Sequence, residues 1–211
     1  MGLFDFFKKT EEPQKPALPI IHDITLGRTV VVDELAIQLL GPNHRLKLTT
    51  PTLTITGQGT VEFEDGVWLH RFYTDDHVLL QIMGGDGVED KSVQQVSIFW
   101  AYDSINPANK IMLNQELDRM KKATYELDGE TYHRIWFDGE GNADLVQFYE
   151  AVNLETDGSD KYGIQQSCML FARDVGEHEE SLLVTYEKTD QGDECISLMV
   201  GAVLSLNDIT L

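Results

Sequence analysis

Basic residues are scarce in this chain of 211 residues: 16 Lys and Arg stand against 36 Asp and Glu, a formal net charge of −20. A surface so acidic repels phosphate backbones, which disfavours nucleic acid as a partner. Cysteine is almost absent. Cys168 and Cys195 sit inside apolar runs, form no Cys-x-x-Cys pair, and read as reduced, buried thiols of a cytoplasmic protein. No run approaches the roughly 20 apolar residues of a membrane-spanning helix. The apolar start Leu3–Phe7 is too short for a secretory signal, and its lysines follow it instead of preceding it. Catalytic signatures are missing too: there is no Gly-x-Ser-x-Gly elbow and no phosphate-binding loop, and Gly57-Gln58-Gly59 lacks the third glycine of a dinucleotide fingerprint. The histidines show no metalloprotease or facial-triad spacing. No cofactor and no metal is expected, and an enzyme is the less favoured reading.

What is present divides the chain at residue 19. At about 100° per residue, Leu3, Phe4, Phe6 and Phe7 share one helical face, with Asp5, Lys8 and Lys9 opposite. Three prolines in Glu11–Pro19 then make a stiff tether, so residues 1–19 form a segment distinct from a globular body at 20–211. The apolar wedge with Lys8 and Lys9 suits weak contact with anionic lipid, or docking into a groove on protein.

The body is dominated by period-two patterns. Strands are expected at Thr29–Val32, Leu53–Thr56, Thr60–Glu64, Val67–Thr74, Val78–Met83, Val93–Tyr102, Thr124–Leu127, Thr131–Phe137, Leu145–Leu154, Ile164–Arg173, Ser181–Glu187 and Cys195–Leu206. Short helices are expected at Glu34–Leu40, capped by Asp33, and at Leu113–Ala123. Asp65–Asp75 (DGVWLHRFYTD) recurs at Asp128–Asp138 (DGETYHRIWFD), with five of eleven positions identical. Farther on, Asp90-Lys91 and Gln94-Gln95 recur as Asp160-Lys161 and Gln165-Gln166. The expected fold is therefore α+β, mainly antiparallel β: a tandem duplicated β-rich module, about 52–105 and 118–176, with a few short helices.

Alternate strand residues share a face, so Trp68, His70 and Phe72 oppose Leu69, Arg71 and Tyr73, and His133 opposes Arg134. Two readings stand side by side. In one, His70, Arg71, His133 and Arg134, with Gln94, Gln95, Gln165 and Gln166, line a ligand or catalytic site between the copies. In the other, the histidines are core residues, the arginines pair with Asp75, Asp138 or carbonyls, and the glutamines divide between solvent and backbone. The loop Asp138–Asp144 spaces oxygen ligands like the start of a calcium loop. Its sixth position is Ala143, not glycine, and its twelfth is Tyr149, not glutamate, which favours a solvated acidic turn.

The run Trp68–Asp76 (WLHRFYTDD), preceded by Gly57-x-Gly59 and followed by Gln94-Gln95, resembles the YjfK-like family of uncharacterised bacterial proteins over nearly the whole chain. The resemblance implies a bacterial cytoplasmic protein and supplies no catalytic residues. Relatives are often encoded beside a phage-shock-protein-A-like membrane-stress protein. On that footing the expected role is a non-enzymatic interaction or adaptor protein, peripheral to the inner membrane through Leu3, Phe4, Phe6, Phe7, Lys8 and Lys9. The alternative is an enzyme or small-ligand binder with its site between the copies.

Overall fold

The computed structural model describes residues 18–64, 66–84 and 93–211. Strand β1 (Thr29–Val32) and helix α1 (Glu34–Leu39) lead into β2 (Thr52–Glu62), β3 (Trp68–Thr74), β4 (Val78–Gly84) and β5 (Gln95–Ile105). Helix α2 (Lys110–Met120) and the hairpin β6 (Thr124–Leu127) and β7 (Glu130–Arg134) follow. The chain ends with β8 (Val146–Asn153), β9 (Lys161–Val175), β10 (His178–Thr189), β11 (Glu194–Leu204) and β12 (Ile209–Thr210). Local chemistry sets the helix starts. The Asp33 carboxylate accepts from Leu35 N–H at 2.9 Å, and the Asn109 side chain accepts from Ile111 and Met112 N–H, both at 3.0 Å.

Two antiparallel meanders, β2–β3–β4–β5 and β8–β9–β10–β11, meet edge to edge. β5 pairs with β11 along nearly its whole length, and β2 pairs with β8 through Gln58↔Asn153, Gly59↔Val152 and Thr60↔Ala151. Eight strands thus close into an antiparallel barrel, which leaves none of them with an open edge.

This barrel corrects the expectation of an α+β fold built from a tandem duplication. The two similar segments occupy different places. β3 lies between β2 and β4 in the barrel wall, whereas β7 pairs with β6 and, through His133↔Ala172 and Arg134↔Phe171, with β9. Loop length explains the divergence. Only Asp75–His77 separates β3 from β4, and a turn that short makes them a hairpin. Residues 135–145 separate β7 from β8, and that length lets β8 travel to β2 and close the barrel. Smaller corrections follow from the same wall. The glycines at 57 and 59 do not divide a strand, and β9 runs over 15 residues because it serves β8 at one end and β7 at the other.

The large apolar cores lie outside the wall. Outward Phe72, Leu80, Ile82, Val96 and Ile98 are buried under the segment 18–48 with β1 and β12. On another side, Phe171, Leu182, Val184, Leu198 and Val200 are buried under α2 and the β6–β7 hairpin, whose Met120, Tyr125 and Tyr132 are fully enclosed. Each such side chain contributes roughly 1.5–3 kcal/mol. Among the described residues no helix is long and apolar enough to cross a membrane. The wedge Leu3–Lys9 lies outside the described residues.

Candidate functional site

Strand alternation decides what enters the lumen. On β3, Leu69, Arg71 and Tyr73 point inward while His70 and Phe72 face the outer core. The inward row continues from Arg71 to Gln81 and Ser97 on one side and to Gly59 on the other. Opposite stand Phe148 and Glu150 of β8, Gln166 and Cys168 of β9, and Thr185 and Glu187 of β10. β3 shares no edge with β8 or β9, so every contact between them crosses the interior.

A charged cluster fills the middle. Arg71 Nη1 donates to Glu150 Oε2 at 3.1 Å and to Gln166 Oε1 at 2.6 Å, and Arg71 Nε donates to Gln81 Oε1 at 3.2 Å. The Tyr73 hydroxyl donates to the Glu150 carboxylate at 2.9 and 3.0 Å, and Gln166 Nε2 donates to it as well. Glu150 and Gln166 are completely buried, and Arg71 is 2% exposed. Burying an ion pair is costly unless the remaining lone pairs are satisfied; here Glu150 receives three different donors. The Arg71 guanidinium also lies 5.3 Å from the Phe148 ring centroid. Gly59 makes the arrangement sterically possible, because a Cβ there would sit 1.7 Å from Glu150 Oε1.

The electrostatics follow from burial and pairing. Burial opposes the Arg71 charge, but Glu150 outweighs it and holds the guanidinium above its ordinary range. Burial and the Glu150 charge push the Tyr73 phenol well up, so it stays a donor. Burial pushes the Cys168 thiol up to about 12 and leaves it unreactive. Glu187, deeper in the lumen, is also raised by burial, although Ser197 Oγ donates to it at 2.9 Å.

Above the cluster the lumen opens into a cavity of about 440 Å³. Its walls are Leu69, Met83, Trp136, Phe137, Phe148 and Leu183, and its floor carries Arg71, Gln81 and Cys168. A depression of 520 Å³ beside α2 has exposed Asp144 and Gln147 in its lining and no such enclosed charge.

Arg134 builds part of the rim. Its guanidinium donates to the carbonyls of Phe137 at 3.2 Å, Lys121 at 2.9 Å, Gly141 at 3.0 Å and Gly139 at 2.9 Å. The acidic loop from Asp138 therefore turns carbonyls toward an arginine. Phe137 is held at φ 67°, a conformation rare for a bulky side chain.

The structure brings Arg71 and Gln166 together and disperses the other sequence-based candidates. His70 is 1% exposed on the outer wall, stacked on Trp68 at 6.2 Å, and its Nδ1 has no hydrogen-bond partner among the described residues. His133 is exposed on the peripheral hairpin, away from the lumen. Gln165 donates to Phe148 O at 3.2 Å from the exposed face; Gln94 is exposed, and Gln95 stands exposed at the barrel mouth on the inward row, where its Nε2 donates to Ser97 Oγ at 3.0 Å. Sequence reasoning missed Glu150, Tyr73, Gln81 and Gly59. A glycine inside a strand pattern is a sign of close approach, and Gly59 carried that sign.

A second buried carboxylate ties the layers together. Glu180 accepts from the Tyr132 hydroxyl at 2.5 Å, from Arg173 Nε at 2.7 Å and from Arg45 N–H. Burial pushes it up, but these donors outweigh burial and hold it below the ordinary carboxylate range.

The chain belongs to the family of proteins of unknown function DUF2491, whose model matches residues 3–210. No match was found among the curated proteins or the solved structures.

Proposed function

We propose that this member of the family is a small-molecule-binding protein that takes an apolar ligand into the upper lumen of its barrel. The observation that carries this is the 440 Å³ cavity, walled by aromatic and aliphatic side chains and floored by a few fixed polar groups. That combination is the usual form of a ligand pocket. A buried apolar cavity of about 150 Å³ already holds benzene, so the lumen has room for a molecule a few times larger. The site differs from the inter-repeat site read from sequence: it keeps Arg71, with Gln166 bonded to it from below, and omits both histidines. In the adaptor reading the membrane-stress partner comes from the family resemblance alone, and the lipid contact through Leu3–Lys9 falls on residues outside those described.

The test uses N-phenyl-1-naphthylamine, a probe whose emission rises in apolar surroundings. The full chain should bind it saturably at one site, with quenching of tryptophan emission through Trp136. Met83→Trp, at the half-buried rim, should block it without disturbing the core. Absent or unsaturable binding, or undiminished binding by a folded Met83→Trp protein, would refute the reading.

A further inference from the structure

The floor of the cavity presents hydrogen-bond donors, and its acceptors are already occupied. Gln81 is oriented by Arg71: Nε–H requires an acceptor, so the amide turns Oε1 toward it at 3.2 Å and leaves Nε2 as the other end. Gln81 Nε2 bonds to no described residue. Both hydrogen bonds from the terminal nitrogens of Arg71 leave from Nη1, and Nη2 takes no part in them. The Arg71 side chain, 3% exposed, lines the cavity. Glu150 receives Arg71, Tyr73 and Gln166 and lies behind them, fully buried. The Cys168 thiol is turned to Val146 O at 3.6 Å.

Charge narrows the choice further. Arg71 is already neutralised by Glu150 at 3.1 Å, and Glu187 lies on the same inner surface. A ligand carboxylate would bring an uncompensated negative charge close to Glu150 in a chain of net charge −20. An ammonium would meet two donors and, among the described residues of the floor, no acceptor that is not already bonded.

Resting on the binding function proposed above, we infer that the ligand is an uncharged amphiphile with an apolar body and a carbonyl-type acceptor at one end. The acceptor is held by Arg71 Nη2 and Gln81 Nε2, while the body lies against Trp136, Phe148 and Leu183. The guanidinium acts as a binding residue without losing its partner Glu150.

The experiment displaces N-phenyl-1-naphthylamine from the full chain at pH 7.5 with four nine-carbon probes: 2-nonanone, nonane, nonanoate and nonylamine. The ketone should bind at least about tenfold more tightly than the alkane, the hydrogen bonds to a charged donor making that difference. It should also outcompete the carboxylate and the amine. Arg71→Met alone would strand Glu150, so the pair is replaced together as Arg71→Met/Glu150→Gln, which removes both charges and leaves an amide oxygen to accept from Tyr73 and Gln166. In that variant, and to a smaller extent in Gln81→Leu, the ratio of ketone affinity to nonane affinity should fall toward one. Equal binding of ketone and alkane overturns the acceptor assignment and leaves a plain apolar binder. Preference for nonanoate or nonylamine overturns the neutral class, as does a ketone advantage that survives in the double variant. Failure of the naphthylamine itself to bind overturns the binding function and this inference with it.

Discussion

Gly59→Ala should be among the costlier single-methyl additions in this protein, and its cost should vanish when Glu150 is removed. The new Cβ would lie 1.7 Å from Glu150 Oε1, 2.7 Å from Cδ and 3.0 Å from Cγ, so the whole end of the side chain has to leave. Its departure strands Arg71, which is 2% exposed and has Glu150 as its salt-bridge partner. Breaking a buried pair from one side costs roughly 3–5 kcal/mol. Glu150→Ala should cost about the same, because it strands the same guanidinium. In the Glu150→Ala background no carboxylate opposes the new methyl. Ala replaces Gly inside a strand there, which is neutral or favourable by about 0.5–1 kcal/mol. The double variant should therefore be no less stable than Glu150→Ala, giving a coupling of roughly 3–5 kcal/mol between the sites. Urea denaturation of the wild type, both singles and the double, at constant m, measures this. Additive losses would show that Gly59 is not the seat of Glu150 and would remove the steric argument for the cluster.

Two further predictions concern the outer wall and the rim. Burial holds the His70 imidazole down to about 4, while the unfolded chain takes up the proton near 6.5. Between those values the unfolded state binds more protons, so stability falls as pH drops through that window, by roughly 3 kcal/mol at about 1.4 kcal/mol per pH unit. Urea midpoints from pH 7.5 to 4.0 should fall more steeply for the wild type than for His70→Leu, and parallel curves would refute the assignment. Arg134→Met removes four bonds to loop carbonyls, and since Gly139 and Gly141 lie at the surface water replaces some of them, for a net loss of roughly 1–3 kcal/mol. Protease sensitivity at 137–141 should rise, and Arg134→Lys should restore it only in part because one ammonium cannot span the four acceptors; an unchanged cleavage rate would refute the rim role.

How much of this was legible in the sequence depends on the distance over which each feature is encoded. The strand positions came from local alternation, and β4 at Val78–Gly84 and β6 at Thr124–Leu127 lie where the pattern puts them. The facing of β3, with Arg71 opposed to His70, also follows from alternation and needs no partner. Barrel closure is different. It rests on three residue pairs between β2 and β8, about ninety positions apart, and nothing local marks Gln58 as the partner of Asn153. The repeated Asp-Gly-x-x-x-His-Arg motif misled because similar hairpins were assigned similar neighbours. The 11 residues after Arg134 send the second copy elsewhere. Glu150 was hidden for a related reason: a carboxylate in a strand looks solvent-facing until the strand across the lumen supplies Arg71, Tyr73 and Gln166.

The division between outer cores and polar lumen bears on what the protein has room to do. Stability rests on Phe72, Ile82 and Ile98 under one cover and on Phe171, Val184 and Tyr132 under the other. The lumen contributes a smaller apolar set, Leu79, Phe99, Cys168 and Leu183, and surrounds it with charged and amide groups. A barrel filled only to fold would place branched aliphatics in its interior. Here Arg71, Glu150 and Gln166 occupy that space, at a desolvation cost that well-packed apolar residues of the same volume would avoid. Because the outer covers carry the fold, the lumen is free to bear that cost. The open cavity lies against the same guanidinium that the cluster holds in place, so the polar filling is most economically read as a fixed floor for a ligand.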